Sequence, residues 1–342
     1  MNSENDIVKD NNNAAKAPGL AETGLLFSVV SLVLITLGSY VQNRDFSTGI
    51  LITEFIIIMA PYLLMLLIRK YNAREVLRLN RVSFLNLFII FSMMAVSIWL
   101  VSVINLFNLW LLKSVFGRVF VAQLPISDTP LLVNILLIGG TAGICEEIMF
   151  RGIIQRSLEK FGVFFSITLT AFLFGLFHMD FQKLIGTFLL GILIGFIVYR
   201  TDSLFAGMFA HFANNSFAVL VSHISEKLIP SDAPAVASDV ETLNDYFDIL
   251  ESMPAFQRIA AILVWAAIAL FCAAALAGLL WAFIRNTSET GRTVLDSNSK
   301  KFFPGFLAFL PGLLIIAAAY IRIGLYLKGI PLDLLIFALK LR

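Results

Sequence analysis

Charge is scarce in this chain. Of its 342 residues only 14% are Asp, Glu, Lys or Arg, while 59% are hydrophobic. A soluble domain carries about 25% charged residues, so a water-soluble globule of this size is excluded. Cysteine is rarer still: Cys145 and Cys272 both lie inside apolar runs. No disulfide framework follows, and each reads as a small buried residue. Cys145 stands beside Glu146, but a thiol in apolar surroundings is a poor nucleophile. Short alternating segments of the kind that build membrane barrels are missing. The net charge of +2 supplies no basic surface for nucleic acid. No His-Glu-x-x-His run occurs, which removes the common helical zinc-hydrolase motif.

What is present are uncharged blocks close to 20 residues, the length that crosses about 30 Å of hydrocarbon. They predict an all-α, polytopic transmembrane helical bundle of about nine helices. The spans fall near 23–41, 48–68, 83–106, 130–157, 162–179, 183–200, 203–224, 257–284 and 303–327. Residues 1–21 are polar and Asn-rich and read as a disordered tail without a cleavable signal. The organisation that follows is N-terminal membrane helices over 22–130, a helical core over 131–224, an acidic extramembrane loop over 225–256 and further membrane helices over 257–342. The acidic loop carries seven acids against Lys227 and reads mainly as a solvated connection with a short helix near 239–251. The apolar tail beyond Lys328 reads as interfacial. Lys and Arg gather in the loops after the second, fourth and eighth spans. That asymmetry predicts a cytoplasmic N-terminus and a multi-pass protein of the plasma membrane. Small residues four apart, Gly139/Gly143 and Gly191/Gly195, predict close helix approach.

The stretch from Gly139 to Arg151 breaks the apolar pattern. Thr129 to Cys145 has no charge, and then come Glu146, Glu147 and Arg151. An ionisable group at membrane depth costs about 2.5–3.5 kcal/mol on insertion scales, so such a cluster marks a functional site. Glu147 and Arg151 are i,i+4 with the acid first, the favourable order for an ion pair. Glu146, about 100° around the helix, is expected to face elsewhere and stay available. Every histidine lies downstream. His178 closes Phe174-Gly-Leu-Phe-His178, His211 opens His211-Phe-Ala-Asn-Asn215, and His223 reads as an interface residue. Polar groups in lipid must find each other or water, which favours convergence of the three segments inside the bundle. A carboxylate held from bulk water is a credible general base, and imidazole and amide donors can meet an oxyanion. Together they form a kit for water attack on an amide.

The ordered signatures Glu-Glu-x-x-x-Arg, Phe-x-x-x-His and His-x-x-x-Asn, on separate helices, resemble the CPBP family of intramembrane endopeptidases. This family, also called Abi, includes the prenyl-protein endopeptidase and the lysostaphin resistance protein A group. The resemblance covers about Leu131 to His223. It implies Glu146 as the residue activating water with His178, His211 and Asn215 as the oxyanion site, and Glu147 with Arg151 as a supporting pair. Phe174 completes the second signature. The implied substrate is a hydrophobic peptide or membrane protein at the lipid bilayer, and nothing in the sequence specifies a prenyl group. No cofactor is expected; a metal is not favoured, because a Glu paired to Arg151 is a poor ligand. Rival readings are a metal-dependent hydrolase, a proton-coupled transporter and a non-catalytic immunity or scaffold protein. One tension stands: counted along the helices, Glu146 and His211 fall in one half of the membrane and His178 lands further out.

Overall fold

A computed structural model describes residues 17–119, 129–228, 239–287 and 302–330. The described residues are helical with no strand among them. Eight helices are long and apolar enough to cross a membrane. They are α1 Leu20–Arg44, α2 Phe46–Ile68, α3 Phe84–Phe116, α4 Leu131–Phe161, α6 Phe181–Thr201, α7 Leu204–Leu228, α9 Ala255–Asn286 and α10 Leu310–Leu327. The fifth expected span is α5, Val163–Phe177, only 15 residues long. The helix in the acidic segment is α8, Asp239–Ser252. The tails at 1–16 and 331–342 lie outside the described residues, and the first helix begins at Leu20, inside the segment read as a tail.

Local chemistry sets the helix ends. Asp45 caps α2 by accepting from the Thr48 amide at 2.7 Å, Ser83 caps α3, and Asp180 caps α6. Gly162, at φ 104°, makes the tight reversal between α4 and α5, a backbone shape that side chains resist. The hydrogen-bond ladder widens to i→i+5 at Ile52–Met59 in α2 and at Ile135–Gly140 and Ile148–Ile154 in α4. Such π segments are frequent where a helix must re-aim side chains at a functional site.

Two apolar cores hold the bundle. One gathers residues of α1, α2, α4, α5 and α10 around Phe27, Tyr62, Phe150 and Phe174. The other joins α3, α6, α7 and α9 around Met93, Ile194 and Phe283. The glycine stripes act where expected. A Cβ on Gly143 would stand 3.1 Å from the Met208 carbonyl oxygen, so α4 and α7 touch backbone to backbone there. Gly191 admits α5 in the same way, at 3.0 Å from Ala171.

The acidic segment departs from a solvated connection. Phe247 of α8 is buried with Leu109, Leu112 and Val119. Lys113 of α3 reaches Asp248 at 2.5 Å and the Asn244 carbonyl at 2.8 Å. An amphipathic helix with an apolar face buries that face when a partner lies near, and α3 overhangs far enough to provide one.

At the opposite end of α4, Arg78 binds Glu159 and, at 2.9 Å, Asp202, while Arg156 meets Glu159 at 2.9 Å. This network levels the α4–α5 turn with the α6–α7 turn.

Candidate active site

Glu146 and Glu147 occupy the short α-helical stretch Thr141–Glu147, between the two π segments of α4. Glu147 and Arg151 are wholly buried, and Glu146 is nearly so. Arg151 Nη1 donates to Glu147 Oε1 at 2.7 Å, closing the i,i+4 pair across the widened turn. Its Nη2 donates to the Gly191 carbonyl of α6 at 3.2 Å, and its guanidinium lies 4.5 Å from the Phe174 ring centre. Arg151 is therefore held by an anion, a carbonyl and an aromatic face at once. Such a planar fork satisfies what a buried cation requires.

His211 stands between the two carboxylates. Its Nδ1 lies 2.9 Å from Glu147 Oε1, and its Nε2 lies 3.9 Å from Glu146 Oε2. Glu147 is the anion of the Arg151 pair and can only accept, so His211 Nδ1 is the donor and Nε2 is turned to Glu146. Glu146 makes no ion pair with Arg151, and one imidazole, with nitrogens on opposite edges, lies between the two acids. Glu147 is also more than a partner for Arg151, since it fixes the ring of His211.

His178 follows the last turn of α5. Its Nδ1 donates to the Phe174 carbonyl at 2.9 Å, leaving Nε2 as the open nitrogen. The Phe174 ring packs edge-on against His178 at 4.9 Å and against His211 at 5.7 Å between ring centres. One aromatic ring thus touches both imidazoles and the guanidinium. The depth tension disappears with it. The α4–α5 hairpin folds at Gly162, with Glu146 and His178 each about 16 residues away along its two arms, so they rise to similar height.

Asn215 is half-buried one turn beyond His211. Its Nδ2 lies 3.4 Å from the Ile138 carbonyl of α4, and its Oδ1 accepts from Asn214 at 3.2 Å. His223 sits near the end of α7, half-buried and apart from this group. Among the described residues no three or more of His, Cys, Asp and Glu gather as a metal-holding group.

One buried acid escaped the reading of the sequence. Glu54, in the π segment of α2, is 9% exposed and stands among Thr53, Ile57 and Ile58. The signal was available: a single acid in the run Leu-Ile-Thr-Glu-Phe-Ile-Ile-Ile is the intramembrane ionisable group that marks a site. It was missed because no motif accompanies it.

Comparison with known proteins places these features. Residues 128–217 match the family described as type II CAAX prenyl endopeptidase Rce1-like. Over 97 residues the chain is 34% identical to a protein of Bacillus subtilis (strain 168) named "Putative membrane peptidase YdiL". That alignment covers 28% of this chain and 39% of the relative, so well under half of either protein is shared. No solved structure matches. Glu146, Glu147, Arg151, Phe174, His178, His211 and Asn215 all fall within the matched span.

Proposed function

We propose, from the match of residues 128–217 to the family described as type II CAAX prenyl endopeptidase Rce1-like, that this protein is an intramembrane endopeptidase of the CPBP family. It cleaves an amide in a hydrophobic peptide or membrane protein by direct attack of water. The observation that carries the reading is the approach of Glu146 Oε2 to His211 Nε2, 3.9 Å apart, at buried depth among four membrane helices.

In this reading Glu146 takes a proton from water as the oxygen bonds to the carbonyl carbon. His178, anchored through Nδ1, uses its open Nε2 to hold the same water. The negative charge on the former carbonyl oxygen is met by the second amide hydrogen of Asn215 and by His211, whose Nε2 donates when both ring nitrogens carry a hydrogen. The carbon–nitrogen bond then breaks, and the proton on Glu146 passes to the departing nitrogen. The products are a carboxylic acid and an amine, with no covalent enzyme intermediate. Glu147 orients His211 as the acid of a catalytic triad orients its histidine. Arg151 holds Glu147 in place and ties α4 to α6 through the Gly191 carbonyl.

A metal is not needed for these steps, and Glu147 Oε1 is already engaged by Arg151 and His211. The apolar, Phe-rich walls fit a lipid-facing segment next to the scissile bond. The Lys and Arg loops support a cytoplasmic N-terminus, and the plasma membrane is the location we propose for the bundle.

The test is cleavage of a quenched peptide library by the detergent-purified protein, comparing wild type with Glu146→Gln, His178→Ala and His211→Ala. Loss of activity in all three, with a chelator leaving the wild type active, is the expected result. Full activity of Glu146→Gln would sink the assignment. Activity lost to chelator and restored by a divalent metal would shift the reading to a metallohydrolase.

A further inference from the structure

The turn that carries His178 is restrained by a helix that lies outside residues 128–217. α5 ends at Phe177 and α6 begins at Phe181, with His178, Met179 and Asp180 between them. Met179 sits at φ 51°, a left-handed backbone state that side chains resist. Strained residues persist only where their surroundings over-determine them, and they gather at active sites. The end of α5 is also short of donors. In a continuing α-helix the Met179 amide would bond the Gly175 carbonyl; here it bonds Leu176 at 3.0 Å. Within the turn, that leaves Gly175 with the His178 amide, at 3.3 Å.

Tyr320 of α10 supplies the rest. It is buried, and its hydroxyl donates to the Gly175 carbonyl at 3.5 Å. Its ring packs edge-on against Phe181, 4.7 Å between ring centres. One side chain therefore touches the residue three before His178 and the residue three after it. α3 closes the far side of this clamp. Phe116 meets Phe181 at 5.5 Å between ring centres, and Asn108 donates to the Phe181 carbonyl at 3.3 Å. Gly324, one turn beyond Tyr320, makes room for that approach, since a Cβ there would stand 3.2 Å from the Phe116 ring. The carbonyl that Tyr320 reaches is next in the chain to the Phe174 carbonyl, which anchors His178 Nδ1. A rotation of this last turn of α5 would move the ring's anchor and its backbone together.

We propose that Tyr320 is a positioning residue for His178, its hydroxyl fixing the end of α5 so that the open Nε2 points into the site. This rests on the hydrolytic reading above, in which that nitrogen holds the attacking water. Tyr320 takes no part in the proton transfers and acts through His178. The chain thus adds to the matched segment a helix of its own, α10, that completes the site. Small errors of placement at a reacting centre are costly in rate, which is why a contact this far from the chemistry counts.

The test uses the full-length protein in detergent and the variant Tyr320→Phe, which keeps the ring on Phe181 and removes only the hydroxyl. We expect kcat to fall about threefold to tenfold with KM within about twofold, because substrate binding is untouched. The chain has three histidines, so a protein labelled with nitrogen-15 at histidine gives a spectrum simple enough to read, and His178→Ala identifies the His178 signals. Tyr320→Phe should move those signals and leave the signals of His211 and His223 in place, a selectivity that general loosening of the fold does not give. Wild-type kcat, a rise in KM alone, an unmoved His178 signal, or shifts of all three histidines would each overturn the proposal. Glu146→Gln, run alongside, separates the two readings. If it stays active, the hydrolytic mechanism itself has failed; if it is dead while Tyr320→Phe is normal, only Tyr320 has been misassigned.

Discussion

Helix α4 carries two buried ionic clusters, and they are built on opposite rules. The one at its C-terminal end contains two cations, Arg78 and Arg156, and two anions, Glu159 and Asp202, each joined to a partner. The one deeper in the bundle contains two acids, Glu146 and Glu147, against the single guanidinium of Arg151, with the imidazole of His211 between the acids. In the first, charge is balanced and every carboxylate has a cation. In the second, Arg151 is spent on Glu147, and Glu146 is left facing an imidazole. A balanced cluster can only hold helices together. An unbalanced one keeps a group in reserve, and that reserve is what chemistry uses.

The comparison breaks most clearly at Glu146. Glu146→Gln is isosteric and removes only the base, so cleavage should fall by at least about 100-fold while the protein still purifies folded. A variant that cleaves normally would make both clusters structural. Next comes Arg151→Met, which strands Glu147 without its cation. Breaking a fully buried pair from one side costs about 3–5 kcal/mol. Melting or denaturant unfolding in detergent should show a loss of that size, with Arg151→Lys restoring little because it cannot also reach Gly191. Arg78→Ala should likewise destabilise, toward the lower figure, since Glu159 is partly exposed. Its kcat per folded molecule should stay within about a factor of two, as expected for a distant, independent site. A large fall in kcat without loss of fold would erase the distinction between the clusters.

The smallest effect belongs to a carboxylate outside both. The Thr48 backbone and side chain hold Asp45 below the ordinary carboxylate range. A group depressed by folding stabilises above its unfolded value and loses that contribution as pH falls through its folded value. Melting temperature should therefore drop slightly on acidification below about pH 4, the ordinary Asp range. Asp45→Asn, which keeps the cap, should flatten that dependence. An unchanged acid slope in Asp45→Asn would show that the cap does not titrate with folding.

Much of the site was legible before any coordinates. The Glu147–Arg151 pair follows from i,i+4 spacing, and a close helix approach at Gly139 and Gly143 follows from their spacing, although that α7 is the neighbour does not. The partner of Glu146 was not legible. Spacing predicts which residues share a helix face, but the sequence cannot say which face of α7 meets which face of α4. The resemblance implies that Glu146 and His178 share the water; that His211 Nε2 also lies 3.9 Å from Glu146 Oε2 came only with the structure. Glu54 was hidden for another reason: an isolated acid has no spacing to read. The docking of α8 was half visible, its helix and charge being plain but its partner Lys113 lying on a helix more than a hundred residues away.

By itself the sequence determined the solvent of this protein and the inventory of its chemistry. Uncharged runs matched to a bilayer demand helices, and the few acids and imidazoles inside them must converge, because lipid offers them no other partner. What only the tertiary structure decided was who meets whom. Side-chain contacts between helices depend on rotation, tilt and depth, and here these were set by the fold at Gly162 and the π segments that flank Glu146 and Glu147.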